Sequence, residues 1–172
     1  MNRILRTAAA AATLMLAANA APGAIDRVLD ALAASGRPAG QRAAAAVLAA
    51  EGARPIDGAP DLAVQWAAAG RPAREFWRTR ALGPGYRAVR LGGGQAIRLE
   101  QVFLAGQRAQ VAVAAPAATA FALSVSDDDD RRACAVSNRR AKCDWTPYYT
   151  TRFKIDLKNA SRQAGTFYLV LQ

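Results

Sequence analysis

The sequence predicts a mainly β protein, an antiparallel β-sandwich of jelly-roll-like form with an N-terminal α-helical region. Three observations carry this expectation. From about residue 85 to the end, large apolar residues alternate with polar ones, the rhythm of half-buried strands. Turn residues punctuate that stretch every 8–12 residues or so. Before it, residues 24–80 space their apolar positions by three and four, as a helix does.

The first twenty residues have the parts of a cleavable secretory leader in order. Arg3 and Arg6 start it, Ala8 to Ala18 are apolar around Leu14, Met15 and Leu16, and Ala18-Asn19-Ala20 offers a small–x–small cut before Pro22. A spanning helix needs about 20 apolar residues, and this run is about half as long. No Cys stands at the expected cut, which argues against a lipid anchor. Further on, the Ala-rich stretch Val111 to Val125 is interrupted by Pro116, and its larger residues alternate, so no transmembrane segment is expected after cleavage. The expected organisation is a leader over 1–20, a helical region over 21–82 and a β-sandwich domain over 83–172. The expected place is outside the cytoplasm, periplasmic or secreted.

Twenty-three Lys and Arg against 13 Asp and Glu give a net charge of +10. Such a balance could favour anionic partners such as acidic polysaccharide, lipopolysaccharide or nucleic acid, but it is described more simply by a solvated basic surface, and charge alone does not decide. No nucleic-acid-reading motif is present, so no nucleic-acid partner is expected.

Cys134 and Cys143 are the only cysteines, and there is no His. In an oxidising compartment the pair reads as a structural disulfide. A zinc site lacks its histidines, and the spacing is not that of a Cys-x-x-Cys redox motif. Asn138 stands near the middle of the closed loop, where a turn would fall. If the loop is a hairpin, Arg131, Arg132, Arg139, Arg140 and Lys142 gather on its two arms.

Ile25, Val28, Leu29 and Leu32 form one helical stripe, which Gly36 and Pro38 end. A second helix is expected over Gln41–Ala50, and a third from Pro60 that groups Leu62, Gln65, Trp66 and Ala69. Pro72 starts a short fourth segment carrying Phe76 and Trp77. Ala-rich faces bury little area, so these helices need a larger surface to pack on, with Trp66, Phe76 and Trp77 as anchors.

Strand rhythm begins after Gly83-Pro84-Gly85. Val89 and Leu91 alternate with arginines, and Gly92-Gly93-Gly94 turns the chain. Ile97 and Leu99 share one parity and Val102 and Leu104 the other, which predicts a bulge near Gln101. Val111 and Val113, then Phe121, Leu123 and Val125, continue the pattern. Phe153, Ile155 and Leu157 make the clearest strand, and Phe167, Leu169 and Leu171 the closing one.

The stretches Gly85-Tyr86-Arg87, Gln101-Val102-Phe103-Leu104-Ala105-Gly106 and Gly165-Thr166-Phe167-Tyr168-Leu169-Val170 resemble bacterial secreted β-sandwich modules of the prepeptidase C-terminal type. Cys143-Asp144-Trp145-Thr146-Pro147 resembles exported proteins in which a Cys–Cys pair precedes Trp-x-Pro. The resemblance covers the C-terminal half. It implies a jelly-roll-like accessory domain whose last two strands pair around an Asn/Gly turn, matched by Leu157-Lys158-Asn159 and Gly165-Thr166. It implies no catalytic residues.

Without His and with both thiols oxidised, Ser-His-Asp and thiolate nucleophiles are excluded. The three glutamates, Glu51, Glu75 and Glu100, give no sequence reason to converge as a carboxylate pair. No enzyme activity and no cofactor are therefore expected. Asp127, Asp128, Asp129 and Asp130 admit two readings: a calcium site holding adjacent carboxylates, or an exposed turn balanced by Arg131 and Arg132. The arginines with Lys142, Trp145, Tyr148 and Tyr149 also admit two, a ligand surface or a solvated tip beside core aromatics. Asn159-Ala160-Ser161 is a glycosylation sequon or simply a turn. Three functions are expected from this: an exported non-catalytic module binding an anionic envelope polysaccharide or protein, a structural accessory protein of the periplasm, or a calcium-stabilised module.

Overall fold

Strand parity sets the architecture. The computed structural model describes residues 22–67, 83–117, 119–138 and 140–172. The leader, the Pro72 segment with Phe76 and Trp77, Glu75 and Arg139 lie outside them. In chain order the elements are α1 Ala24–Ala33, α2 Pro38–Ala50, β1 Arg54–Pro55, α3 Leu62–Ala67, β2 Gly85–Leu91, β3 Ala96–Phe103, β4 Ala109–Ala114, β5 Phe121–Asp127, β6 Arg132–Asn138, β7 Arg140–Trp145, β8 Thr151–Asn159 and β9 Gly165–Leu171. One sheet has the order β1-β2-β9-β4-β7 and the other β3-β8-β5-β6.

This order is that of one long hairpin rolled up. β2, β3, β4 and β5 pair antiparallel with β9, β8, β7 and β6 respectively, and the turn of the long hairpin lies between β5 and β6. Rolling brings β9 against β4 and β8 against β5, which closes two sheets. The fold is a jelly-roll β-sandwich, as the alternation predicts.

The predicted inward residues fill the space between the sheets. Val111, Val113, Leu123, Val125, Ile155, Leu157, Phe167 and Leu169 are fully or almost fully buried there, and Phe121 meets Phe167 edge to face at 5.8 Å. Each such side chain contributes roughly 1.5–3 kcal/mol by leaving water.

A second core covers the outer face of the β2-β9-β4 sheet. Ile25, Val28, Leu29 and Leu32 of α1 pack on Ala112, Ala114, Tyr168 and Val170, with Leu48, Leu62 and Tyr86 completing the layer. Alanines at 112 and 114 let the helix come close. Trp66 meets Tyr168 edge on at 6.1 Å, as its anchoring role requires. The Tyr86 hydroxyl donates to Asp61 Oδ1 and accepts from Leu62 N, both at 3.0 Å, while Asp61 also caps α3 through Ala63 N and Val64 N. Lys142 Nζ bonds Asp26 at 3.0 Å and so joins β7 to α1.

Four local expectations change, the first being α3, which starts at Leu62 and not at Pro60 because Asp61 caps it. α2 begins at Pro38, three residues early, because Pro fits the first helical turn. The bulge near Gln101 is absent: β3 runs in unbroken register against β8, with Leu99 and Phe103 inward and Val102 and Leu104 outward. A bulge falls instead on β6, where Val125 faces Cys134, Ser126 faces Arg132, and Ala133 is left over. The closing strands β8 and β9 do not pair. They belong to different sheets, and the Asn159 to Gly165 connection crosses between them.

Asn159 makes that crossing. Its fully buried amide donates to Leu91 O, Gly92 O and Gln163 O and accepts from Ser161 N and Oγ, so it ties the connection after β8 to the Gly92-Gly93-Gly94 turn. Gly94 has φ 73°, and a Cβ at Gly93 would meet the Arg162 carbonyl. A folded-state glycan at Asn159 has no room.

Candidate functional site

Three connections meet at one end of the sandwich: residues 104–108 between β3 and β4, the β5–β6 tip over 127–131, and residues 146–150 between β7 and β8. Gly106 N donates to Pro147 O at 2.9 Å and Ala105 N to Thr150 Oγ1 at 3.0 Å, tying the first to the third. Beneath them lies an aromatic plug. Trp145 closes β7 and meets Phe103 at 5.0 Å and Phe153 at 5.3 Å between ring centroids, and those two rings are 5.7 Å apart. Phe103 meets both other rings edge to face, and each such pair adds about 0.5–1.5 kcal/mol beyond burial.

The four aspartates form the hairpin tip. Asp127 Oδ1 accepts from Asp129 N at 3.0 Å and Arg131 N at 2.8 Å, while Asp130 takes the left-handed conformation with φ 59°. Asp128 Oδ2 accepts from Thr151 Oγ1, Asp129 pairs with Arg131, and Asp130 pairs with Lys154 at 2.7 Å. Lys154, by hydrogen bond and by charge, holds the Asp130 carboxyl below its ordinary range. The carboxylates thus reach separate partners. Among the described residues, no three His, Cys, Asp or Glu side chains are grouped as a metal site requires.

A cleft of about 340 Å³ opens between this tip and the β7–β8 connection. Arg131, Arg132, Trp145, Tyr148 and Tyr149 line it, with Asp127, Pro147 and Phe153. Tyr148 and Tyr149 are 92% and 79% exposed, whereas Trp145 is half-buried and its Nε1 is enclosed without an acceptor. Arg131 and Asp129 form an exposed pair that contributes little to stability. Arg132 has no carboxylate partner among the described residues. The free groups around the cleft are therefore rich in hydrogen-bond donors and in aromatic surface.

Of the remaining cations expected in one patch, Arg139 lies outside the described residues, and the backbone of Arg140 and the side chain of Lys142 are placed away from the cleft. Cys134 and Cys143 form the disulfide, but their strands are not a hairpin: β6 edges one sheet and β7 edges the other. Arg140 opens β7 at the opposite end of β6 from Arg131 and Arg132, on the order of 20 Å away by strand rise. Lys142 is on the helix-covered face, paired with Asp26. The expectation assumed adjacent strands, and the rolled topology separates them.

Sequence reasoning missed a second cleft, of about 270 Å³, across the plug. Val102, Leu104 and Gln107 line it with Ile56 and Gln172. The outward apolar parity at Val102 and Leu104 was its signal. Nearby, Arg108 and then Gln110 hydrogen-bond Asp144 and hold its carboxyl below the usual carboxylate range, against the opposing effect of burial.

No protein family matches the chain, and no curated protein matches it in sequence. Solved structures match the strand-rich half. The pre-peptidase C-terminal domain of a Bacillus anthracis collagenase is 10% identical with a TM-score of 0.45, over 51% of this chain and 87% of that one. The Yersinia pseudotuberculosis-derived mitogen is 10% identical with a TM-score of 0.46, over 52% and 85%. A periplasmic inhibitor of g-type lysozyme from Aeromonas hydrophila is 14% identical with a TM-score of 0.38, over 52% and 86%. The first of these is of the kind that the strand motifs of the C-terminal half resemble.

Proposed function

We propose that the protein is exported and acts without catalysis, as a β-sandwich that holds an acidic saccharide chain of the cell envelope in the cleft between the β5–β6 tip and the β7–β8 connection. One observation carries this reading. Tyr148, Tyr149, Trp145 and Arg132, which has no carboxylate partner among the described residues, surround one opening; Asp127 also lines it, with Oδ1 held by Asp129 N and Arg131 N, while Asp128 and Asp130 are bonded to Thr151 and Lys154. Exposed tyrosine rings offer faces to the C–H surfaces of a sugar, and a guanidinium matches a carboxylate. The leader pattern, the disulfide and the lack of a helix long and apolar enough to cross a membrane among the described residues support export.

A non-catalytic role is supported by the chemistry present. The chain has no His and both thiols are oxidised. Glu100 pairs with Arg152 on the open sheet, and Glu51 pairs with Arg27 in the helical layer, so these two carboxylates do not face one another.

Binding to polygalacturonate at low salt, with neutral dextran as control, tests the proposal. Arg132→Ser and Tyr148→Ala should each weaken binding by about tenfold, or roughly 1.4 kcal/mol. A wild type that ignores polygalacturonate would sink the reading and leave a structural accessory role.

A further inference from the structure

We infer that the second cleft is a further saccharide subsite, so that one ligand chain crosses the end of the sandwich from cleft to cleft; this rests on the reading of the first cleft as a saccharide site. Among the described residues, the sandwich leaves four large apolar side chains exposed: Val102, Leu104, Tyr148 and Tyr149. Val102 and Leu104 line the second cleft, Tyr148 and Tyr149 the first. Val64 is also exposed, but on α3. Exposed apolar surface concentrated at one end marks an interaction face.

The two clefts are neighbours. Phe103 lines the second and Trp145 the first, and their ring centroids are 5.0 Å apart. One layer of rings separates them. The ridge above that layer is fixed by the Gly106–Pro147 and Ala105–Thr150 hydrogen bonds, so a ligand meets a surface already in place. Preformed surfaces lose less ordering entropy on binding.

The linings differ in the way a sugar chain requires. Gln107 and Gln172 line the second cleft, and their side-chain amides have no partner among the described residues. Each amide offers donors and an acceptor, the complement of a hydroxyl that does both. The walls at Val102 and Leu104 suit the C–H faces of a pyranose. Arg132 in the first cleft suits a carboxylate. The ligand class is an acidic polysaccharide several sugars long.

Calorimetric titration with a trimer and a decamer of galacturonic acid tests this. The wild type should bind the decamer at least about tenfold more tightly, through the effective concentration of the tethered second contact. Leu104→Ser with Gln107→Ala, both at exposed positions, should remove that gain and leave trimer affinity unchanged. Trimer and decamer of equal affinity, or a gain that survives the double substitution, would overturn the second subsite while sparing the first. Binding of neither would overturn the saccharide reading itself.

Discussion

Cys134 and Cys143 join the edges of opposite sheets, with their Cα atoms 5.8 Å apart, where facing sheets are normally about 10 Å apart. The bond closes one side of the sandwich. It also restricts the unfolded chain, and the short loop sets the scale at about 2–3 kcal/mol. Paired replacement by Ser should lower the unfolding free energy by that amount, read as a fall in the urea midpoint, and an unchanged midpoint would assign the β6–β7 side to packing alone.

Replacing Asn159 should be among the costliest polar substitutions. Asn159→Ala takes a donor from the carbonyls of Leu91, Gly92 and Gln163, of which Gly92 O keeps Gln95 N and Gln163 O keeps Ser161 Oγ, and leaves Ser161 N without its acceptor. The expected loss is about 2–4 kcal/mol in chemical denaturation. A loss below half a kcal/mol would mean that water replaces the amide.

Tyr86 makes stability fall at alkaline pH. Burial first, then the Asp61 carboxylate, pushes its hydroxyl up from 10.0 to about 12. The unfolded chain gives up this proton first, so the contribution is complete below pH 10 and is lost as pH rises towards 12. The size is about 2–3 kcal/mol. Tyr86→Phe should be weaker at neutral pH but show a flatter decline over that window. A parallel decline in both proteins would assign the slope to other groups.

The acidic tip should stabilise through its own hydrogen bonds. Asp127→Ala removes the acceptor for Asp129 N and Arg131 N and should cost about 1 kcal/mol. Adding calcium, or a chelator, should leave the thermal midpoint of the wild type where it is. A rise with calcium would show that the four carboxylates rearrange around an ion.

The parts of the fold legible in the sequence were those with large residues at a fixed period. Phe153, Ile155 and Leu157 announce a strand because nothing else alternates so strictly, and Ile25, Val28, Leu29 and Leu32 announce a helix face. β6 and β7 are built mostly from Ala, Ser, Arg and Lys, so period could not say which sheet each joins. Assuming that neighbours in sequence pair therefore placed the arginines together and joined β8 to β9. Apolar residues on both parities of Val111–Ala114 and Phe167–Leu171 were the signal of a strand covered on both faces. At the cleft, Trp145, Tyr148, Tyr149, Arg131 and Arg132 were found by proximity along the chain. Leu104 and Gln107 were not, because only the folded end brings them together with Ile56 and Gln172.

β9 belongs to both cores at once, turning Phe167, Leu169 and Leu171 towards one and Tyr168 and Val170 towards the other. A strand shared in this way couples the fate of the two layers. The helices cannot melt without exposing the strand on which the sandwich depends, nor the sandwich without stripping the helices of their floor. Unfolding is then all-or-none, with equal van't Hoff and calorimetric enthalpies and a single heat-capacity peak.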